Sequence, residues 1–260
     1  MRLRLLLFSC ALMLAACGGD TATDAPPEKP AAVEKPEVKK PAPAPTKTTA
    51  VNPPDAAMTP DPLEALRAEY HEAMLAPSKA NETAPATYTV KFETTKGDML
   101  IDVTRAWAPN GADRFYNLVK IGYFTDVAAF RVIGGFMAQM GISGDPKVNT
   151  VWRKATIEDD PVKESNTPGT VTFAKTNAPN SRTTQLFFNF VDNSRLDPMG
   201  FAPFGKLRDM ETLNKLYAGY GEGAPRGRGP HQGLLQSKGN AYLKEKFPEL
   251  DYVKSASIVE

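Results

Sequence analysis

The sequence predicts a mainly β fold, a closed eight-stranded antiparallel barrel with two helices capping its ends. Seven or eight short stretches with strand-like patterns mostly follow one another directly along the chain, which favours antiparallel pairing over a parallel sheet. Clear helical periodicity is confined to two segments among them. The region from residue 86 to 260 is long enough to enclose one core. A signal peptide, a disordered linker and a short helix are predicted before it.

Residues 1–16 have the features of a lipoprotein signal peptide. Arg2 and Arg4 precede an apolar run from Leu5 to Leu14 that is too short to be a good spanning helix. The sequence Leu14-Ala15-Ala16-Cys17 resembles a bacterial lipobox, which implies cleavage before Cys17 and lipidation of that residue. An ordinary secretory signal with an incidental cysteine is the alternative. We therefore expect a protein that is lipid-anchored to a bacterial membrane, with its domain in the periplasm or another extracytoplasmic space.

Residues 17–60 are predicted to form a disordered tether. Proline, alanine, lysine, threonine and glutamate dominate this segment, which has almost no large apolar residue. It cannot bury enough apolar surface to offset the entropy lost on ordering.

A short helix is predicted over residues 61–76. Asp61 can cap its first turn, Pro62 suits the first helical position, and Glu64 completes a capping box. Four apolar side chains follow at helical spacing: Leu63, Leu66, Tyr70 and Met74. We expect this stripe to pack on the following domain, with a partner-binding helix as the alternative.

The elements of the barrel follow in order from residue 86. Strands are predicted at 88–94, 99–103, within 130–139, and at 170–174, 185–190, 201–207 and 252–259. Helices are predicted at 109–120 and 209–217, with a shorter helical stretch at 240–246. Loops are predicted at 142–168 and 219–239, because these segments are rich in glycine, proline, asparagine and charged residues.

The stretch from Phe130 to Gln139 carries the most chemical information. Four of its side chains share the parity of an extended chain and should point to one face: Arg131, Ile133, Met137 and Gln139. The intervening Gly134-Gly135 pair would let this strand bend or bulge. The face combines a cation, apolar groups and an amide, without a nucleophile, a carboxylate pair or a metal ligand. Such a surface suits a reaction that breaks no covalent bond.

Charge, cysteine and histidine content exclude several other classes of function. The formal net charge is +1, which gives no field that would favour nucleic acid. Cys10 and Cys17 are the only cysteines, and His71 and His231 the only histidines. No disulfide or zinc-ligand spacing follows from these positions. We therefore expect no metal and no cofactor.

These motifs resemble those of the cyclophilins, a family of peptidyl-prolyl cis/trans isomerases. The central stretch matches the family's main signature, and Gln185-Leu186-Phe187-Phe188 matches a second. A third consists of Arg195-Leu196-Asp197 followed by Phe204-Gly205-Lys206. The three signatures stand in the family's order, and the resemblance covers about residues 86–259. It implies a cyclophilin-like barrel and isomerase activity.

The resemblance also implies roles for individual residues. Arg131 and Gln139 correspond to catalytic positions, and Gln185 to a group that holds the substrate backbone. The implied proline pocket and its adjoining groove comprise Phe136, Met137, Ala174, Phe187, Leu196 and Phe201. Phe201 stands where other members have histidine or tyrosine, so the pocket floor stays apolar. Arg195 stands where some members have tryptophan, which implies low cyclosporin affinity.

An arginine beside an apolar pocket suits prolyl isomerisation. The barrier to peptide-bond rotation is about 18–20 kcal/mol and comes from partial double-bond character. In the twisted state the proline nitrogen regains a lone pair that can accept a hydrogen bond from Arg131. An interaction that strengthens only in the twisted state accelerates the rotation.

The expected substrates are unfolded or proline-containing polypeptides, in particular exported and envelope proteins. We expect a monomer that reaches the membrane through lipidated Cys17 and does not bind nucleic acid. The alternative function is a chaperone or scaffold module that binds proline segments without turnover. Taken singly, Arg131 would suit a solvated strand edge, and Phe187 or Met137 would suit the core. Their joint occurrence in the family's order favours the enzyme.

Overall fold

The computed structural model describes residues 72–259, in which one antiparallel sheet dominates. Its strands are β1 (Thr87–Thr94), β2 (Gly97–Thr104), β3 (Val127–Ala128), β4 (Arg131–Ile133), β5 (Met137–Met140), β6 (Thr170–Phe173), β7 (Leu186–Asn189), β8 (Pro203–Leu207) and β9 (Tyr252–Ile258). The order across the sheet is β3-β9-β1-β2-β8-β6-β7-β5-β4. The sheet curls into a half-barrel.

The mainly β class is confirmed, but the prediction of a closed eight-stranded barrel is wrong. Nine strands form because the predicted central strand divides into β4 and β5, and because the two-residue β3 was not predicted. The edge strands β3 and β4 do not pair with each other in the described sheet. Instead, Gly221 of a later loop forms an antiparallel bridge with Val132 and so occupies part of the free edge of β4.

The helices correspond only in part to the predicted ones. They are α1 (Pro109–Lys120), α2 (Pro146–Trp152), α3 (Glu211–Asn214) and α4 (Gln232–Lys246). Helix α1 has the predicted bounds, whereas α3 is shorter than the predicted 209–217. Helix α2 lies in the predicted loop 142–168, where the Asp145 side chain accepts a hydrogen bond from the Lys147 N–H and caps the helix.

Helix α4 begins eight residues before the predicted start at Asn240. The His231 ring nitrogen Nδ1 accepts hydrogen bonds from the N–H groups of Gly233 and Leu234 and caps the helix. Gly239 breaks the helix with a φ of +61°, a backbone conformation that favours glycine. The predicted glycine-rich loop therefore ends at His231.

The main core cluster joins residues of the sheet with the buried face of helix α1. The predicted stripe of α1 is confirmed, because Ala112, Phe115 and Leu118 are fully buried and Val119 nearly so. Phe115 contacts Phe124 and Phe204 with ring centroids 5.6 and 5.1 Å apart. Tilted and edge-on arrangements are the ones that aromatic rings prefer, and such contacts add to the stability of the core.

Residues 72–84 pack against the domain. Glu72–Met74 and Pro77–Lys79 form two 3-10 helices rather than the end of one α-helix. Ala73 and Met74 are buried, and the Trp152 indole donates a hydrogen bond of 2.9 Å to the Met74 carbonyl. Packing on the domain is thus confirmed for the described part of the predicted helix 61–76.

Residues 61–71 of that helix, the signal peptide 1–16, the tether 17–60 and Cys17 lie outside the described residues. Between residues 72 and 259, no helix has the length and apolar character needed to cross a membrane.

Candidate active site

The centre of the site is the hairpin formed by β4 and β5. Arg131 lies opposite Gln139, and Ile133 lies opposite Met137. The Phe136 N–H donates to the Ile133 carbonyl at 3.0 Å and closes a turn, with a φ of +73° at Gly135. The four side chains predicted to share a face therefore do so, but across two paired strands rather than along one bent strand.

A chain of polar groups crosses this face. Arg131 Nη1 donates to Gln139 Oε1 at 3.0 Å, and Gln139 Nε2 donates to Gln185 Oε1 at 2.9 Å. Gln139 is only 7% exposed, so its amide keeps a fixed orientation. These hydrogen bonds place the two amides and the guanidinium along one side of the cleft, where each can contact a polar group of a bound peptide.

An apolar pocket adjoins the guanidinium. Met137, Phe187 and Leu196 form a buried cluster, and Phe136, Ala174 and Phe201 pack around it. Arg131 Nη1 lies 3.9 Å from the Met137 sulfur, and the Arg131 Cζ lies 5.8 Å from the centroid of the Phe136 ring. The Arg131 guanidinium thus lies at the wall of a pocket that is lined by aromatic rings and the Met137 thioether.

All nine predicted catalytic and substrate-binding residues line one cleft of about 610 Å³. The structure brings together Arg131, Phe136, Met137, Gln139, Ala174, Gln185, Phe187, Leu196 and Phe201. Lys175, Thr176, Ser181 and Thr183 extend the groove beyond Ala174. The cleft is therefore larger than a proline ring requires and can hold residues on both sides of it.

Buried asparagines, which sequence reasoning missed, position the pocket. Asn193 Nδ2 donates to the Phe136 carbonyl at 2.9 Å and to Asn189 Oδ1 at 2.7 Å. Asn166 Nδ2 donates to the Phe201 carbonyl at 2.8 Å and to Asp197 Oδ1 at 2.7 Å. These bonds tie the 3-10 helix Ser194–Met199, which carries Leu196, to the strands. A single asparagine, in a loop or at the end of a strand, carries no pattern that reveals such burial.

A carboxylate that the sequence analysis did not identify holds the guanidinium. Arg131 Nε donates to Glu222 Oε1 and Arg131 Nη2 donates to Glu222 Oε2, both at 2.6 Å. These hydrogen bonds hold the pKa of Glu222 below its usual range, although partial burial opposes them. Gly223, Ala224, Pro225 and Arg226 line the cleft beside it. This segment is a loop up to His231, as predicted, but the sequence did not indicate that part of it lines the cleft.

Arg195 supplies a second cation at the pocket. Its Cζ lies 4.9 Å from the centroid of the Phe136 ring, within the range of a cation–π contact. Phe136 thus contacts the guanidinium groups of both Arg131 and Arg195.

The chain matches a protein-family model described as cyclophilin type peptidyl-prolyl cis-trans isomerase over residues 89–228. It is 34% identical over 158 residues to peptidyl-prolyl cis-trans isomerase B of Escherichia coli, a match that covers 55% of this chain and 90% of the relative. It is 34% identical over 139 residues to peptidyl-prolyl cis-trans isomerase A of Dickeya dadantii, covering 49% of this chain and 70% of the relative.

A solved cyclophilin-type isomerase from Cryptosporidium parvum has 20% sequence identity and a TM-score of 0.49. That match covers 67% of this chain and 98% of the solved one. The family model spans more than half of the chain, and the Escherichia coli relative is matched over nine-tenths of its length. The chain therefore belongs to the cyclophilin family and is a peptidyl-prolyl cis-trans isomerase.

Proposed function

We propose that the isomerase acts through Arg131, which stabilises the twisted form of an X–Pro bond whose ring occupies the apolar pocket. The observation that carries the proposal is the position of the guanidinium, with Nη1 3.9 Å from the Met137 sulfur at the pocket wall. A proline ring against Met137, Phe187 and Leu196 would have its nitrogen within reach of this cation.

The chemistry follows from the change in the proline nitrogen during rotation. In the planar amide the nitrogen lone pair is delocalised into the carbonyl, so it accepts hydrogen bonds poorly. In the twisted state the lone pair is localised and accepts a hydrogen bond from Arg131. The guanidinium is a permanent planar cation, so it binds the twisted amide more strongly than either planar isomer and lowers the barrier.

The apolar walls make this interaction stronger. Met137 and Phe187 are nearly fully buried, and a seated proline ring would displace water from the space between them. Charge interactions increase when water is excluded. A millionfold acceleration corresponds to about 8 kcal/mol, which one desolvated charged hydrogen bond together with positioning can supply.

The polar groups of the cleft hold the peptide on either side of the rotating bond. We assign Gln139 and Gln185 to the backbone of the substrate, because their amides form one hydrogen-bonded chain with Arg131. One side of the bond must stay fixed while the other turns. Ala174 leaves room in the groove for the residue that precedes proline.

The proposed substrates are exported or envelope polypeptides that contain proline. The support is the amino-terminal sequence, in which Leu14-Ala15-Ala16-Cys17 follows an apolar run. On this proposal Cys17 is lipidated, residues 17–60 form the tether, and the domain acts outside the cytoplasm. A tethered isomerase would meet polypeptides as they emerge unfolded from the membrane.

Cis–trans exchange of an Ala-Pro peptide, followed by NMR on the full-length protein, tests the proposal. The Arg131→Ala variant should bind the peptide but lose most of the acceleration, since the pocket remains while the donor is gone. Wild-type exchange rates in that variant would refute the role of Arg131.

A further inference from the structure

Glu222 and Gln139 both accept hydrogen bonds from the Arg131 guanidinium. The N–H groups that they occupy determine which part of the guanidinium can still contact a ligand. Glu222 takes the Nε–H and one N–H of Nη2, and Gln139 takes one N–H of Nη1. A guanidinium has five N–H groups in a fixed planar fork. Nη1 also donates to the Met137 sulfur at 3.9 Å, but a thioether is a weak acceptor that a ligand can replace. One N–H of Nη2 has no partner among the described residues. These two groups form the terminal edge of the fork.

The carboxylate is itself fixed by its loop. Gly221 bridges to Val132 on β4, which anchors the loop one residue from Arg131. The Gly229 N–H donates to the Glu222 carbonyl at 2.8 Å, and the Gly223 N–H donates to Glu222 Oε1 at 2.9 Å. The loop thus holds both the backbone and the carboxylate of Glu222.

Glycines allow the loop to close around Glu222. A Cβ atom at Gly227 would lie 2.7 Å from the Glu222 Cβ and closer still to its carbonyl oxygen. At Gly229 a Cβ atom would lie 2.9 Å from the same oxygen. Side chains at these positions would push Glu222 away from Arg131. The glycines therefore allow the loop to approach Glu222 closely enough for the ion pair to form.

We propose that Glu222 is a positioning residue for the isomerisation, which aims the terminal edge of the Arg131 fork at the proline pocket. The inference rests on the proposed role of Arg131 and adds a residue from a loop outside the cyclophilin signatures. Arginine has several rotatable bonds, and ordering such a side chain has an entropic cost. The ion pair with Glu222 orders the Arg131 side chain before the substrate binds. A larger fraction of the enzyme molecules then has the guanidinium in the reactive position.

The proposal predicts a loss of turnover when the carboxylate is removed. In the full-length protein, Glu222→Ala should lower kcat at least about tenfold, which corresponds to 1.4 kcal/mol, with a peptide Kd within twofold of wild type. The kcat of Glu222→Gln should lie between those of wild type and Glu222→Ala. The glutamine has one side-chain oxygen, so it can accept from Arg131 Nε or from Nη2 but cannot replace both carboxylate oxygens. The matched control is Glu245→Ala, which removes a glutamate paired with Lys246 outside the cleft.

A double-mutant cycle separates positioning from other roles. Because Glu222 acts through Arg131, Glu222→Ala should have no further effect on kcat in an Arg131→Ala background. The same fractional loss in both backgrounds would overturn the proposal, and so would wild-type or higher kcat in Glu222→Ala alone. If Arg131→Ala itself retained full activity, the proposed function would fail instead, so the two failures are distinguishable.

A third variant moves the carboxylate without removing its charge. Gly227→Ala should displace Glu222 and lower kcat in the same direction as Glu222→Ala. The Nε–H signal of Arg131 in NMR spectra reports the pairing directly, since its exchange with water should be slow in wild type and fast in both variants. Slow exchange in Glu222→Ala would contradict the proposal, whatever the activity.

Discussion

Phe187 on β7 lies directly opposite Gln139 on β5. Side chains of cross-strand partners share one face of a sheet, so the buried ring and the buried amide are neighbours. Gln139 in turn lies opposite Arg131 on β4. Three adjacent strands therefore present a ring, an amide and a guanidinium in one row, where the apolar and polar halves of the cleft meet.

The first prediction concerns the pocket. Phe187→Ala should raise the Kd for a proline peptide and lower kcat/KM, because the ring that would contact the proline is lost. Phe187 is 5% exposed, and truncating a buried phenylalanine costs about 3–5 kcal/mol of stability. Phe187→Leu, which fills more of the space, is the companion variant. Unchanged peptide affinity in a folded Phe187→Ala protein would count against the pocket.

The second prediction concerns the buried ion pair behind the groove. Arg182, 1% exposed, donates to Asp160 at 2.9 Å, and Asp160 also accepts from the N–H groups of Asn110 and Gly111 at the start of α1. Asp160→Ala would leave the buried cation with only the more distant carboxylate of Asp159, 3.5 Å from Arg182 Nε. It should reduce the free energy of unfolding by about 3 kcal/mol, the lower end of the cost of breaking a buried pair.

Urea denaturation measures that change. Glu211→Ala is the control, since it removes an exposed pair with Lys215 worth at most about 0.5 kcal/mol. Equal effects of the two substitutions would show that the buried pair stabilises the fold no more than an exposed pair does.

The third prediction concerns pH. Hydrogen bonds from Arg131 hold the pKa of Glu222 below its ordinary value of 4.5, partial burial opposes them, and Arg226 lowers the pKa further. A carboxylate with a lowered pKa stabilises the folded state fully above that ordinary value, and the contribution disappears as pH falls through the folded pKa.

The difference in Tm between wild type and Glu222→Gln should therefore be constant at neutral pH and shrink only below 4.5. The midpoint of the Glu222 side-chain titration, followed by NMR, checks the assignment. A midpoint at or above 4.5 would contradict the strength of the Arg131 pair.

The fourth prediction concerns the membrane. Cys17→Ser in the full-length chain should move the protein from the membrane to the soluble fraction, because the acyl chains would have no acceptor. Fractionation of bacterial cells with an antibody against the domain measures this. Continued membrane association of the variant would remove the lipid-anchor proposal.

Local patterns made much of this fold predictable. The period-two stretches at 88–94 and 99–103 became β1 and β2, and the apolar stripe of residues 109–120 became the buried face of α1. The division of 130–139 into two strands was not predicted, although Gly134 and Gly135 had indicated a bend there. Because the hairpin pairs odd residues with odd residues, the shared face survived that error.

Features that depend on long-range contacts were not predictable. Glu222 is 91 residues from Arg131, and a single carboxylate among glycines has no periodicity to signal its partner. Helix α2 is too short for its apolar spacing to stand out from the polar residues around it. The bridge that covers part of the free edge of β4 involves Gly221, which carries no side chain to reveal it.

The role of Arg131 is tested most directly by the rate of cis–trans exchange in a proline peptide at saturating enzyme, measured by NMR for wild type and Arg131→Ala. Saturation removes binding from the comparison and isolates the rotation itself. Because the variant lacks the donor to the twisted amide, the bound peptide should exchange at least about a hundredfold more slowly in it, a loss of about 2.7 kcal/mol of transition-state stabilisation. Equal exchange rates in the two complexes would contradict this role.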